Sequence, residues 1–129
     1  PERVVPVLPM QKLLRLRIIE LDTHVQKEYN MTTPEGRVKA KLDKMLHEEK
    51  VWFYSPQAGP FGRSGVPDRV AIVRGQFVGI EAKADRTKKP TRLQVQCMAQ
   101  IEQAKGKCCV VYDDETIAEV RAYIREEQC

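Results

Sequence analysis

Apolar positions recur along this chain at two spacings, and the places where the spacing changes divide it into elements. Over residues 10–29, Met10, Leu13, Leu14, Ile18, Leu21 and Val25 fall at helical spacing behind a basic start of Lys12, Arg15 and Arg17. This predicts an amphipathic helix that packs either on the core or against a second copy. Residues 1–9, PERVVPVLP, are rich in proline and predict an extended lead-in. Thr33 as N-cap and Pro34 at the first helical position open a second helix, running to about residue 49, with Val38, Leu42, Met45 and Leu46 as its apolar stripe. Residues 51–54 predict a short aromatic strand with Trp52 and Phe53 in the core. A loop rich in Gly and Pro follows, SPQAGPFGRSGVP. Beyond a hairpin, Thr91 with Gln94 three residues on forms a capping box. The helix it opens carries Leu93, Cys97, Met98 and Ile101 on its apolar side and stops at Gly106. Residues 108–112 form a continuous apolar run, a buried strand. Asp113-Asp114 is a turn, and a last helix spans 116 to about 126.

The hairpin is the stretch GVPDRVAIVRGQFVGIEAK, residues 65–83. Strand-like runs at 69–74 and 77–82 flank Gly75-Gln76, which suits a two-residue loop with Gly first. That loop sets Arg74 opposite Phe77, Val70 opposite Glu81 and Asp68 opposite Lys83. Side chains alternate with period two, so Asp68, Glu81 and Lys83 project from one face. A one-residue slip would send Asp68 to the other face. Carboxylates and an ammonium meeting at a strand end are either a solvated rim or a means of holding a divalent metal beside a phosphate.

Length and composition narrow the class. A chain of 129 residues, 42% hydrophobic and 31% charged, fits one globular domain with a core of its own. No apolar stretch approaches a membrane span and no signal-peptide pattern opens the sequence, so no membrane partner and a cytoplasmic location are expected. Net charge is +4, and positive charge clusters over residues 83–107, which favours a polyanionic partner on one side. The cysteines (Cys97, Cys108, Cys109 and Cys129) form no Cys-x-x-Cys pair and read as small hydrophobes in a reducing compartment. With only His24 and His47 available, no structural zinc site is expected. The glycines at 59, 62 and 65 do not make a dinucleotide fingerprint, and no nucleotide cofactor is expected.

Glu35 admits two readings. In a helix's first turn it is favoured by the dipole alone. It also precedes Val38 by three and Leu42 by seven, on the inward stripe, where a carboxylate needs a partner or a metal.

Taken in order, Thr33-Pro34-Glu35-Gly36, Gly65-Val66-Pro67-Asp68, Glu81-Ala82-Lys83 and Pro90-Thr91-Arg92-Leu93-Gln94 resemble the VRR-NUC family of the PD-(D/E)XK nuclease superfamily. The similarity is to its small stand-alone form, of phage or bacterial type. It covers roughly residues 32–112, leaving the N-terminal helix as an extension, 1–31, with a possible dimer contact, and 32–129 as the nuclease-like domain. It implies an α/β (mixed α+β) fold, a restriction-endonuclease-like core with a central mixed sheet flanked by helices. It also implies a Mg²⁺- or Mn²⁺-dependent deoxyribonuclease. In that reading Asp68, Glu81 and the backbone carbonyl of Ala82 ligate the metal, and Glu35 completes the shell directly or through water. Lys83 orients the attacking water or stabilises charge on the phosphorane-like transition state, and Gln94 holds Lys83, water or phosphate while also serving its capping box. The family implies branched DNA, such as flaps or Holliday junctions, and a homodimer. Arg63, Arg86, Lys88, Lys89 and Arg92 are the candidates for contact with the DNA backbone. Two alternatives stay open, a non-catalytic nucleic-acid-binding module on a nuclease fold and a restriction-type, sequence-specific endonuclease.

Overall fold

The computed structural model describes residues 33–57 and 62–126; the predicted helix over 10–29 and Cys129 lie outside them. Helix α1 (Pro34–Glu48) begins at the expected cap, where Thr33 Oγ1 accepts from the Gly36 N–H at 2.9 Å. Its stripe of Val38, Leu42, Met45 and Leu46 is buried. The strands β1 (Trp52–Tyr54), β2 (Arg69–Val73), β3 (Gln76–Ala82) and β4 (Lys107–Val111) form one mixed sheet in that spatial order. The first three are antiparallel and β4 runs parallel to β3. A parallel neighbour needs a crossover, supplied by α2 (Arg92–Gln103). Helix α3 (Asp114–Arg125) closes the domain.

The core lies between one face of the sheet and the pair α1 and α3. Ala71, Val73, Val78, Ile80, Ala82 and Val111 of the sheet meet Val38, Leu42 and Leu46 of α1 and Ile117 and Val120 of α3. The other face carries Gly79 against Pro67, with Cys108 beside it, and α2 lies over this side, where Cys108 Sγ approaches the Met98 carbonyl. The fold class expected from the sequence is thus the one observed. Burial pushes the Cys108 and Cys109 thiols up, to about 11 and about 12, so both stay protonated. Among the described residues no helix is long and apolar enough to cross a membrane.

The hairpin departs from the expected pairing. Val73 pairs with Gln76 and Arg69 with Ile80, so the loop is Arg74-Gly75 rather than Gly75-Gln76. Both loop residues have positive φ, 51° and 79°, the mark of a type I′ turn, whose twist matches that of the flanking strands. Arginine is an unusual occupant of the first position. Its guanidinium is anchored, donating to the carbonyls of Ile124 at 2.8 Å and Tyr123 at 3.1 Å at the end of α3. The register therefore differs from expectation by two residues. An even slip preserves the face on which each side chain lies.

Other local expectations are also corrected. Trp52 is 57% exposed, because within β1 only Phe53 points to the core while Trp52 and Tyr54 face outward. Asp113 is the N-cap of α3, accepting from the Thr116 N–H at 2.9 Å, so that helix begins earlier than expected.

Candidate active site

Carrying the β2–β3 register one residue past Arg69 and Ile80 sets Asp68 against Glu81, where Lys83 was expected. The ladder ends here, and the two carboxylates take over the work of the missing backbone partners. Glu81 Oε1 accepts from the Asp68 backbone N–H at 3.1 Å, and Asp68 Oδ2 accepts from the Ala82 backbone N–H at 2.9 Å. This reciprocal arrangement fixes the two carboxyl groups side by side on the face covered by α2.

Gln94 ties that pair to the lysine. Its amide nitrogen donates to Glu81 Oε2, while its Oε1 accepts from Lys83 Nζ at 3.0 Å and from the Thr91 N–H at 2.8 Å. The last bond is half of the α2 capping box, so the cap and the site use the same side chain. Lys83 Nζ also stands 3.5 Å from Glu81 Oε2. Burial, and next the neighbouring Asp68 charge, push the Glu81 carboxyl up to about 7, against the opposing pull of Lys83. A carboxylate so placed is short of positive charge, which a bound cation would supply.

Glu35 reaches this group indirectly. Lys39, one turn further along α1, places Nζ 3.3 Å from Glu35 Oε2 and 3.4 Å from Asp68 Oδ1. The Glu35 side chain is 41% exposed, so it lies at the rim rather than on the buried stripe. No three Asp, Glu, His or Cys side chains among the described residues gather as a metal-holding group. Two carboxylates with water and backbone oxygen are, however, the usual protein share of a Mg²⁺ shell, so Asp68 and Glu81 fit such an ion.

The remaining candidates divide. Asp68 and Gln94 border an open cleft whose other wall is the 62–67 loop with Pro56, and Arg63 lies on it, donating to Gln100 at 2.9 Å. Lys88, Lys89 and Arg92 are exposed around the start of α2. Arg86 faces another way, bound to Asp113 at 3.1 Å and Glu115 at 3.0 Å at the start of α3. Three residues outside the sequence motifs bear on the site: Lys39 beside Asp68, Arg69, which donates to the Asp68 carbonyl, and Asp43, which holds Arg69. Lys39 carried a signal, being four residues from Glu35 and hence on its face.

Neither a protein-family model nor a curated protein matches the sequence. A solved structure described as a VRR_NUC domain is similar to it at a TM-score of 0.61 and 24% identity, over 69% of this chain and 95% of that one. The chain thus has the fold of a VRR_NUC domain, and nearly the whole length of that domain is represented in it.

Proposed function

We propose that this chain is a VRR-NUC nuclease, a Mg²⁺- or Mn²⁺-dependent deoxyribonuclease selective for branched DNA. The observation that carries the proposal is the opposition of Asp68 and Glu81 at the end of the hairpin, linked through Gln94 to the Lys83 ammonium, with Asp68 and Gln94 bordering a cleft. The shared fold with a VRR_NUC domain supports it.

In this reading Asp68 and Glu81 hold the ion, with the Ala82 carbonyl and, directly or through water, Glu35. Held there, such an ion would supply polarisation of the phosphodiester and a lowered pKa for a bound water. Lys83, held in place by Gln94, offers its ammonium to the charge that develops on the phosphate oxygens. Arg63, Lys88, Lys89 and Arg92 contact the backbone, and each phosphate neutralised adds about −0.9 to the log–log slope of binding against salt. Arg86 contributes to this set only if it releases Asp113 and Glu115. A homodimer would bring two sites to a junction for paired cuts.

The test is cleavage of end-labelled single strand, duplex, 5′ and 3′ flaps, splayed arm and four-way junction, with Mg²⁺, Mn²⁺ or EDTA. Cutting is expected with metal only, strongest on a branched substrate, and reduced about a hundredfold or more in Lys83→Ala. Binding of DNA without cutting under any condition would instead establish the non-catalytic module. Cutting of linear duplex at fixed sequences would establish the restriction-type enzyme.

A further inference from the structure

Among the described residues, Lys39 is set between two carboxylates, Glu35 and Asp68, that the metal reading assigns to the ion. Its Nζ lies at nearly equal distances from Glu35 and Asp68, 3.3 and 3.4 Å, both longer than a directed charge-assisted hydrogen bond of about 2.8 Å. The ammonium thus bridges Glu35 and Asp68 by charge rather than by one directed bond. Its side chain is only 16% exposed, although a lysine in the second turn of a surface helix can reach water freely.

We propose that Lys39 is the resident counter-ion of the metal-free site, and that metal and lysine exclude each other between Glu35 and Asp68. This rests on the reading of Asp68 as a metal ligand. A Mg²⁺ ion needs its oxygens at about 2.1 Å and repels a neighbouring ammonium, so the two cannot share that space. Lysine suits the role because its charge sits on a flexible stem with no fixed fork. Its withdrawal on metal binding also releases Glu35, which then turns toward the ion or toward a water on it. The alternative is a plain helix-surface pair, in which Lys39 merely supports Glu35 one turn away.

The two are separated by Mn²⁺ binding to the DNA-free protein, followed by electron paramagnetic resonance of the free ion, for wild type, Lys39→Met, Lys39→Gln and Asp68→Asn. Loss of the partly exposed contacts with Glu35 and Asp68 is expected to tighten Mn²⁺ binding about tenfold in both Lys39 variants. A second readout uses the wild-type chain alone, so it does not depend on the variants folding. Labelling of the Lys39 amine by an acylating reagent, read by mass spectrometry, is expected to rise on saturation with Mg²⁺. Equal or weaker Mn²⁺ binding in the Lys39 variants, or labelling unchanged by Mg²⁺ while Asp68→Asn abolishes binding, overturns the role of Lys39 and leaves the metal reading standing. Absence of Mn²⁺ binding from every form overturns both.

Discussion

Arg69 of β2 reaches through the core to Asp43 of α1 and grips it with two of its three nitrogens, Nε to Oδ1 at 2.6 Å and Nη2 to Oδ2 at 2.8 Å. The third, Nη1, donates to the backbone carbonyl of Asp68 at 2.8 Å. Asp43 is 1% and Arg69 7% exposed, so this pair is buried and fully committed. It joins the helix that carries Glu35 and Lys39 to the residue that carries the candidate ligand. Removing one partner strands the other as an uncompensated buried charge. Asp43→Ala should therefore destabilise the fold by about 3–5 kcal/mol, a fall in melting temperature of about 15 °C or more. The paired change Asp43→Leu with Arg69→Met should recover much of that stability. It should not recover Mn²⁺ affinity, because the Asp68 carbonyl loses its donor. Calorimetric melting of wild type and these two variants, beside Mn²⁺ titration of the double variant, checks both halves. Full recovery of Mn²⁺ affinity would show that Arg69 does not position Asp68.

Gln94 serves two masters, and they are separable in size. As a cap residue its truncation to Ala should cost about 1 kcal/mol, a small shift in melting temperature. As the link between Glu81 and Lys83 its loss should lower cleavage about 10- to 100-fold, the usual effect of removing a group that orients catalytic side chains. Measuring both on Gln94→Ala tells them apart. Activity that falls only in proportion to the folded fraction would reduce Gln94 to its cap.

That double use explains part of what the sequence makes legible. The capping box at Thr91 and Gln94 and the cap at Thr33 are local patterns with a fixed hydrogen-bond logic, and both form as expected. The shared face of Asp68, Glu81 and Lys83 survived an error in the loop because the error was even. The turn itself was not legible, since an arginine at positive φ is retained by the carbonyls of Tyr123 and Ile124, far along the chain. Trp52 faces outward against expectation because an aromatic triplet does not say which of its alternating positions faces inward. Asp43 and Arg69 were legible in principle: one follows Leu42 on a buried stripe, the other shares its phase with Ala71 and Val73. Only the fold shows that they meet.

Gly65 holds the loop before Asp68 against the start of α2. Its φ is +80°, and a Cβ there would stand 2.5 Å from the Leu93 carbonyl oxygen and 3.0 Å from the Gln94 nitrogen, both backbone atoms that cannot turn aside. Gly65→Ala should combine left-handed strain with overpacking, about 2–4 kcal/mol in all, and should displace Pro67 and Asp68 from Gln94. The expected outcome is a lowered melting temperature together with weakened Mn²⁺ binding. Gly75→Ala is the control, because a Cβ at Gly75 meets nothing within 4 Å and only the turn strain remains. It should lower stability modestly and leave Mn²⁺ affinity unchanged. Equal loss of Mn²⁺ affinity in the two variants would mean that the loop acts through global stability alone.

The Glu81 carboxyl, pushed up to about 7 by burial and by Asp68, makes metal binding and stability depend on pH in opposite directions. In the metal-free protein its folded pKa lies above the unfolded value of 4.5, so the folded state holds this proton more tightly. The resulting stability is complete below about pH 4.5 and is lost as pH rises through about 7. A cation needs the ionised carboxylate, so Mn²⁺ affinity should climb over the same interval and level off above it. Binding should release close to one proton per ion near pH 6 and almost none near pH 8.5, as read by calorimetry in buffers of different ionisation enthalpy. Glu81→Gln should flatten the Glu81 part of the stability profile. Asp68→Asn, which removes the neighbouring charge, should move the remaining transition to lower pH. Proton release that stays constant from pH 6 to pH 8.5 would show that Glu81 is already ionised when the ion arrives.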